Sequence, residues 1–289
     1  MIRTHALAVR PVSADDRRKL ANLLHFEPLV HRHLDWRPPL EWIGHEPFFV
    51  LEDNGMLLAA LACPVDPPGV SWVRLFAASS LVDDESAWKQ LWHTVKRALA
   101  NETEIVAAAI PLQGWFQDLL EESGFEHYEN VVMLSWDRMT APPKPAGQTC
   151  TIRPMNQDDL PAIEYVDRAA FEKIWRNTID SLQDAFSQAA VATVLELGGE
   201  LVGYQISTAN AMGAHLARLA VLPGHQGQGL GFVLVQDLLA QFVQRGITRI
   251  TVNTQSTNQN SINLYEKMGF QRTGEIYPIY TLQLSKNSG

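Results

Sequence analysis

Short segments recur along this chain at an almost constant spacing, and that restricts it to a fold built twice. Val9-Arg10-Pro11 returns as Ile152-Arg153-Pro154 and Asp15-Asp16 as Asp158-Asp159, both 143 residues later. Val50-Leu51-Glu52 returns as Val194-Leu195-Glu196 and Arg74-Leu75 as Arg218-Leu219, both 144 later. Gly124-Phe125 returns as Gly269-Phe270, 145 later. A spacing that drifts by only two residues implies internal duplication of one α/β unit. Between the copies, Met139–Gln148 holds three prolines and no apolar period, which predicts a semi-rigid surface linker. The expected division is a first domain over 1–138, a linker over 139–149 and a second domain over 150–289.

The second copy carries the chemistry-bearing pattern. An apolar strand ending Leu219-Ala220-Val221 stops at Pro223-Gly224, and four glycines fall within Gly224–Gly231. A helix follows, with Leu230, Leu234, Leu238 and Phe242 at helical spacing. A glycine-rich turn leading into a helix is an anion site, because first-turn amides lack intrahelical partners and the helix dipole is positive there. Two templates fail: a dinucleotide fingerprint needs glycine where Phe232 stands, and a phosphate-binding P-loop needs lysine where Leu230 stands. Gln226-x-x-Gly229-x-Gly231 remains. Around it the pattern predicts strands at Thr151–Arg153, Val191–Leu197, Leu201–Ser207, His215–Val221, Ile247–Thr254, Phe270–Ile276 and Ile279–Leu284. Helices are expected from Asp158, over Thr178–Ala190 and over Asn258–Met268.

The glycine loop and Asn258-x₆-Tyr265-x₃-Gly269-Phe270, in this order and spacing, resemble the GNAT superfamily of acyl-CoA-dependent N-acyltransferases. The first copy shares the resemblance only through the repeat. The resemblance implies an α/β (α+β) chain of two tandem GNAT-like domains, each a mixed, mostly antiparallel sheet flanked by helices. It implies acetyl-CoA as co-substrate, no metal, and acetyl transfer to the primary amine of a small molecule or peptide by direct attack. Leu219, Ala220 and Val221 would lie along the pantetheine arm. Gln226, Gly227, Gln228, Gly229, Leu230 and Gly231 would wrap the pyrophosphate, and Asn258 would bond the pantetheine amides. Tyr265 would sit by the sulfur as general acid, since a phenol with a pKa of about 10 is protonated at neutral pH. Phe171, Trp175 and His215 would stand at the acceptor groove, opposite Tyr277 and Tyr280 in a turn. Many relatives carry a basic Glu five residues before the motif asparagine; here it is Asn253. His215 and Glu172 are the substitutes the sequence offers. A non-catalytic acyl-CoA sensor is the alternative function.

The first copy has lost these features. Val82, Glu85 and Ala87 fall opposite Gln226, Gly229 and Gly231, and Leu120 falls opposite Tyr265. Asp83-Asp84-Glu85 would repel a pyrophosphate yet favour a helix start. This copy is expected to bind no coenzyme A and to buttress the second or shape its groove.

Charge and composition limit the partners. The net charge is −9, of which residues 1–143 contribute −8 through 12 basic and 20 acidic residues. That acidity argues against a nucleic-acid surface. No apolar run is long enough for a membrane helix, and the N-terminus has no signal-peptide shape. Two distant cysteines, Cys63 and Cys150, suit a reducing cytoplasm. The oligomeric state stays open.

Overall fold

The computed structural model describes residues 7–100, 102, 104–144 and 149–285. The chain forms two compact units, one of Met1–Tyr128 with Pro278–Gly289 and one of Glu129–Tyr277. The expected boundaries at 138 and 150 therefore give way. The last strand of each repeat belongs to the other unit's contacts.

The first unit contains β1 (Ala8–Pro11), α1 (Arg17–Phe26), β2 (Leu29–Arg32), β3 (Phe48–Asp53), β4 (Met56–Ala62), β5 (Val70–Trp72) and β6 (Leu75–Ala78). Then come α2 (Asp84–Leu99), β7 (Glu104–Ala109), α3 (Gly114–Glu122) and the start of β8 (Glu126–Asp137). Strands β1, β3, β4, β6 and β2 pair in that order, all antiparallel. β5 runs parallel to β7. The far edge of β7 is covered by Tyr280–Ser285 from the end of the chain. Trp88, Leu91, Trp92 and Val95 of α2 repeat at helical spacing and pack with Phe76, Phe116 and Phe125 into the core.

The second unit contains β9 (Thr151–Pro154), α4 (Leu160–Ala170), α5 (Ile179–Ser187), β10 (Val191–Leu197), β11 (Glu200–Asn210), β12 (Gly213–Val221), α6 (Leu230–Gln244), β13 (Arg249–Gln255), α7 (Gln259–Met268) and the start of β14 (Gln271–Ser285). β9, β10, β11 and β12 pair antiparallel, and β12 runs parallel to β13. The far edge of β13 is covered by β8, in register from Val131↔Gln255 to Asp137↔Arg249. On β11, Tyr204 reaches Asp167 of α4, while a side chain built on Gly203 would meet Leu234 of α6. Adjacent strand residues face opposite ways, so the two helices cover opposite faces of the sheet.

The duplication extends to side-chain geometry. Arg10 donates to both Asp16 oxygens at 2.7 and 2.8 Å and to Glu52 at 3.0 Å. Arg153 donates to both Asp159 oxygens at 2.7 and 2.8 Å and to Glu196 at 2.8 Å. These Arg hydrogen bonds hold both aspartates below the usual carboxylate range.

A further expectation changes. The final pair of strands is one strand, β14, so Tyr277 and Tyr280 lie within a strand and not in a turn. No turn-forming pair interrupts it; Pro278, which brings no N–H, falls ahead of the first pair with β7, Tyr280↔Ala109. The linker is only partly described, since residues 145–148 lie outside the described set. Its Pro142 carbonyl accepts a hydrogen bond from Gln236 of α6 at 3.1 Å.

Candidate active site

The second unit opens where two parallel strands part. β12 and β13 are in register at Ala214↔Ile250, His215↔Thr251 and Leu216↔Val252, and the pairing ends there. β12 continues along β11 through Leu219↔Gln205, Ala220↔Tyr204 and Val221↔Gly203. The edge of Leu219–Val221 away from β11 is thus free of β13. The resulting cleft is lined by Leu216–Leu219, by Val252–Gln255, and by Asn258, Ser261 and Tyr265. Phe171, Trp175 and Val131 complete it.

From Leu219 the chain leads into the glycine loop. Gly227 and Gly229 both take left-handed backbone, with φ of 76° and 80°, which explains their residue type. The first hydrogen bond into α6 runs from Val233 N–H to Gly229 C=O at 3.1 Å, so the amides between Gln226, which bonds to Pro223 C=O, and Val233 can meet an anion. A Cβ on Gly224 or Gly227 would meet nothing within 4 Å, as an open cradle requires. Gln226 braces the loop, its Nε2 donating to the Val221 carbonyl at 2.9 Å.

Asn258 caps α7, accepting from Ser261 N–H through Oδ1 at 3.1 Å. Its amide nitrogen remains for a ligand. Two turns further, Tyr265 reaches the cleft wall although the residue is 4% exposed. Burial raises its phenol pKa and keeps it protonated.

The Phe171–Trp175 wall is fixed from beneath. Arg218 of β12 forms a buried ion pair with Asp167 of α4 at 2.7 Å and donates to the Trp175 carbonyl at 2.6 Å. Its guanidinium stacks over Phe171, 3.5 Å from the ring centre. Asp167 also accepts from Asn177 N–H at 2.8 Å and from the Tyr204 hydroxyl.

His215, Tyr277 and Tyr280 do not line this cleft among the described residues. His215 is held between Thr251 Oγ1 at 2.8 Å and Asn253 Oδ1 at 3.1 Å, and burial lowers its pKa. Tyr280 lies in the first unit and donates to Glu121 at 2.6 Å. Val131 was missed: it follows the first repeat's Gly124-Phe125, and no motif of the second copy points to it. Arg218 and Asp167 were missed too, since a buried ion pair leaves no local spacing signal.

The first unit's equivalent of the cleft is filled. β12 corresponds to two strands, β5 and β6, separated by Val73 and Arg74. The β6 edge matching the free edge of Leu219–Val221 is paired with β2, Leu29↔Ala78 to Arg32↔Leu75. His31 of β2 stacks on Phe116 at 3.9 Å and contacts the Val73 carbonyl at 3.2 Å. By the repeat, Val73 and Phe116 match Ala217 and Ser261, two cleft-lining residues. At the start of α2, Asp83 caps Ser86 N–H at 2.9 Å, so the acidic loop serves the helix itself.

Residues 155–270 match the acetyltransferase (GNAT) family. Escherichia coli [ribosomal protein bS18]-alanine N-acetyltransferase is 29% identical over 121 residues, covering 42% of this chain and 80% of that protein. Salmonella typhimurium peptidyl-lysine N-acetyltransferase YjaB is 29% identical over 117 residues, covering 35% of this chain and 74% of that protein. A solved tandem GNAT protein from the clavulanic acid biosynthesis pathway aligns over 97% of this chain and 99% of its own, with a TM-score of 0.65 at 14% identity. Among the described residues no helix is long and apolar enough to cross a membrane, and no cluster of side chains could hold a metal.

Proposed function

Because residues 155–270 match the GNAT acetyltransferase family, we propose that the second unit transfers an acetyl group from acetyl-CoA to a primary amine by direct attack in a ternary complex. The observation that carries this reading is the parting of β12 from β13 after Leu216, with Tyr265 in the cleft wall and a glycine-rich helix start beyond Val221. The free edge of Leu219–Val221 offers amides and carbonyls to the pantetheine arm. The amides from Gly227 to Gly231 meet the pyrophosphate, and the Asn258 amide nitrogen donates to a pantetheine carbonyl. A strand N–H at the thioester carbonyl stabilises the charge that develops on its oxygen. Holding thioester and amine in one cleft supplies much of the remaining acceleration.

Tyr265 acts on the leaving sulfur. An ordinary thiol has a pKa of about 8.5, below that of this raised phenol, so the thiolate is the weaker base of the two. Tyr265 therefore stabilises the sulfur chiefly by donating a hydrogen bond, and the proton needed for the free thiol comes from water. The two bacterial relatives act on protein amines by name, so peptide α- and ε-amines are the acceptors to test first. The first unit binds no coenzyme A, because β2 and His31 fill the matching groove.

Coenzyme A is expected to raise the melting temperature, while ATP and NAD leave it unchanged. No shift at millimolar coenzyme A would refute the proposal. An amine screen read by thiol release then identifies the acceptor.

A further inference from the structure

This inference rests on the acetyltransferase reading of the cleft, which leaves the incoming amine a proton to lose. Asn253, where many relatives carry a carboxylate, cannot take it, and it is engaged with His215 at 3.1 Å. Glu129 is hydrogen-bonded to the cleft wall. Glu129 Oε1 accepts from Trp175 Nε1 at 2.8 Å, and Oε2 accepts from Thr257 Oγ1 at 3.3 Å. Both donors are neutral, and no ion pair among the described residues includes Glu129. Trp175 lines the cleft, and so does Val131, two residues along β8 and hence on the same strand face as Glu129. Glu129 is half-buried; burial above all, and Glu172 beside it, raise its carboxyl pKa. Two arginines at this wall are engaged elsewhere: Arg218 with Asp167 and the Trp175 carbonyl, and Arg176 with the Phe171 carbonyl at 3.1 Å. A partly desolvated anion beside a second anion is a place for a cation.

We propose that Glu129 receives the acceptor as an ammonium ion at the mouth of the cleft and takes its proton, directly or through one water. An N–H bond of the ammonium breaks and an O–H bond forms on Glu129. The freed lone pair attacks the thioester carbonyl, forming the C–N bond. Collapse breaks the C–S bond, its electron pair stays on sulfur, and the second N–H proton reaches that sulfur through solvent. Glu129 then releases its proton to water. Ammonium and thioester thus give amide, thiol and one proton. Glu129 comes from the last strand of the first repeat, so the copy without its own cleft supplies a catalytic residue to the other.

The test uses the full chain saturated with coenzyme A. Alanyl-glycyl-glycinamide and Nα-acetyl-lysinamide are each titrated against their acetylated, neutral counterparts by calorimetry. Wild type should bind at least one cationic probe tenfold or more above its neutral counterpart, and Glu129→Gln should lose that preference at unchanged coenzyme A affinity. With acetyl-CoA and the same probe, wild-type kcat/KM should plateau between the Glu129 and amine pKa values. In Glu129→Gln it should climb about tenfold per pH unit up to the amine pKa, with part of the plateau restored in Glu129→Asp. Equal preference and equal pH profiles in wild type and Glu129→Gln would overturn the proposal, as would failure of both cationic probes to bind the coenzyme A complex. Absence of coenzyme A binding would instead remove the acetyltransferase reading, and this proposal with it.

Discussion

Tyr265 and Gly229 test the site at the scale of single residues. Tyr265→Phe keeps the ring packed against Phe270 at 5.6 Å and removes only the hydroxyl. It should lower kcat about 100-fold with coenzyme A affinity nearly intact, as rate and binding measurements would report. An unchanged kcat would take Tyr265 out of the mechanism. Gly229→Asp puts a side chain on left-handed backbone and a negative charge at a helix start meant for an anion, so coenzyme A binding should vanish in calorimetry. Glu85→Gln, its counterpart in the first unit, should leave binding unchanged. Both Tyr265 and Gly229 were legible in the sequence, because local spacing carries a helix face and a glycine turn. Trp175 was legible as an aromatic, but not its tie to Glu129, which is 46 residues away.

Elements decide which copy is open. In the second unit β12 is one strand that serves two neighbours and then parts from one of them. In the first, β5 and β6 divide those duties and β2 closes the gap. The acidic loop at Asp83 was legible as a helix start, but β2 was not legible, since Leu29–Arg32 is too short to carry a periodic signal. Burial depresses the His31 pKa to about 4, below its ordinary value near 6.5. The unfolded chain therefore takes up a proton that the folded one refuses. The stabilisation is complete above about pH 6.5 and is lost as pH falls towards 4, amounting to at most about 3 kcal/mol. His31→Phe should flatten this fall in melting experiments between pH 7 and 4; an equally steep fall would deny His31 the role. On the other side, Asp167→Ala leaves Arg218 buried without its partner. It should cost about 3–5 kcal/mol in denaturant unfolding, and release of the Trp175 wall should raise KM for the acceptor more than it lowers kcat.

The whole molecule departs most from a reading of the chain as two consecutive beads. The repeat and the order of elements were legible because each copy keeps its own pattern of strands, turns and glycines. The exchange of last strands was not, because β8 and β14 have the same apolar alternation whichever unit they complete. A fragment of residues 150–289 lacks β8 and would expose the β13 edge from Arg249 to Gln255. It should aggregate, whereas residues 129–277 should give a folded, monodisperse species by circular dichroism and size-exclusion chromatography. Equal behaviour of the two fragments would argue against the exchange.

The strand that covers β7 leaves the ribosome long after β7 itself. Ile105–Ala109 wait for Tyr280–Leu284, so the N-terminal unit cannot finish folding until the second repeat has been made, although most of it is made first. A chain cut short before Tyr280 would leave β7 with a bare edge, a defect in the part of the protein made first and open to proteolytic clearance.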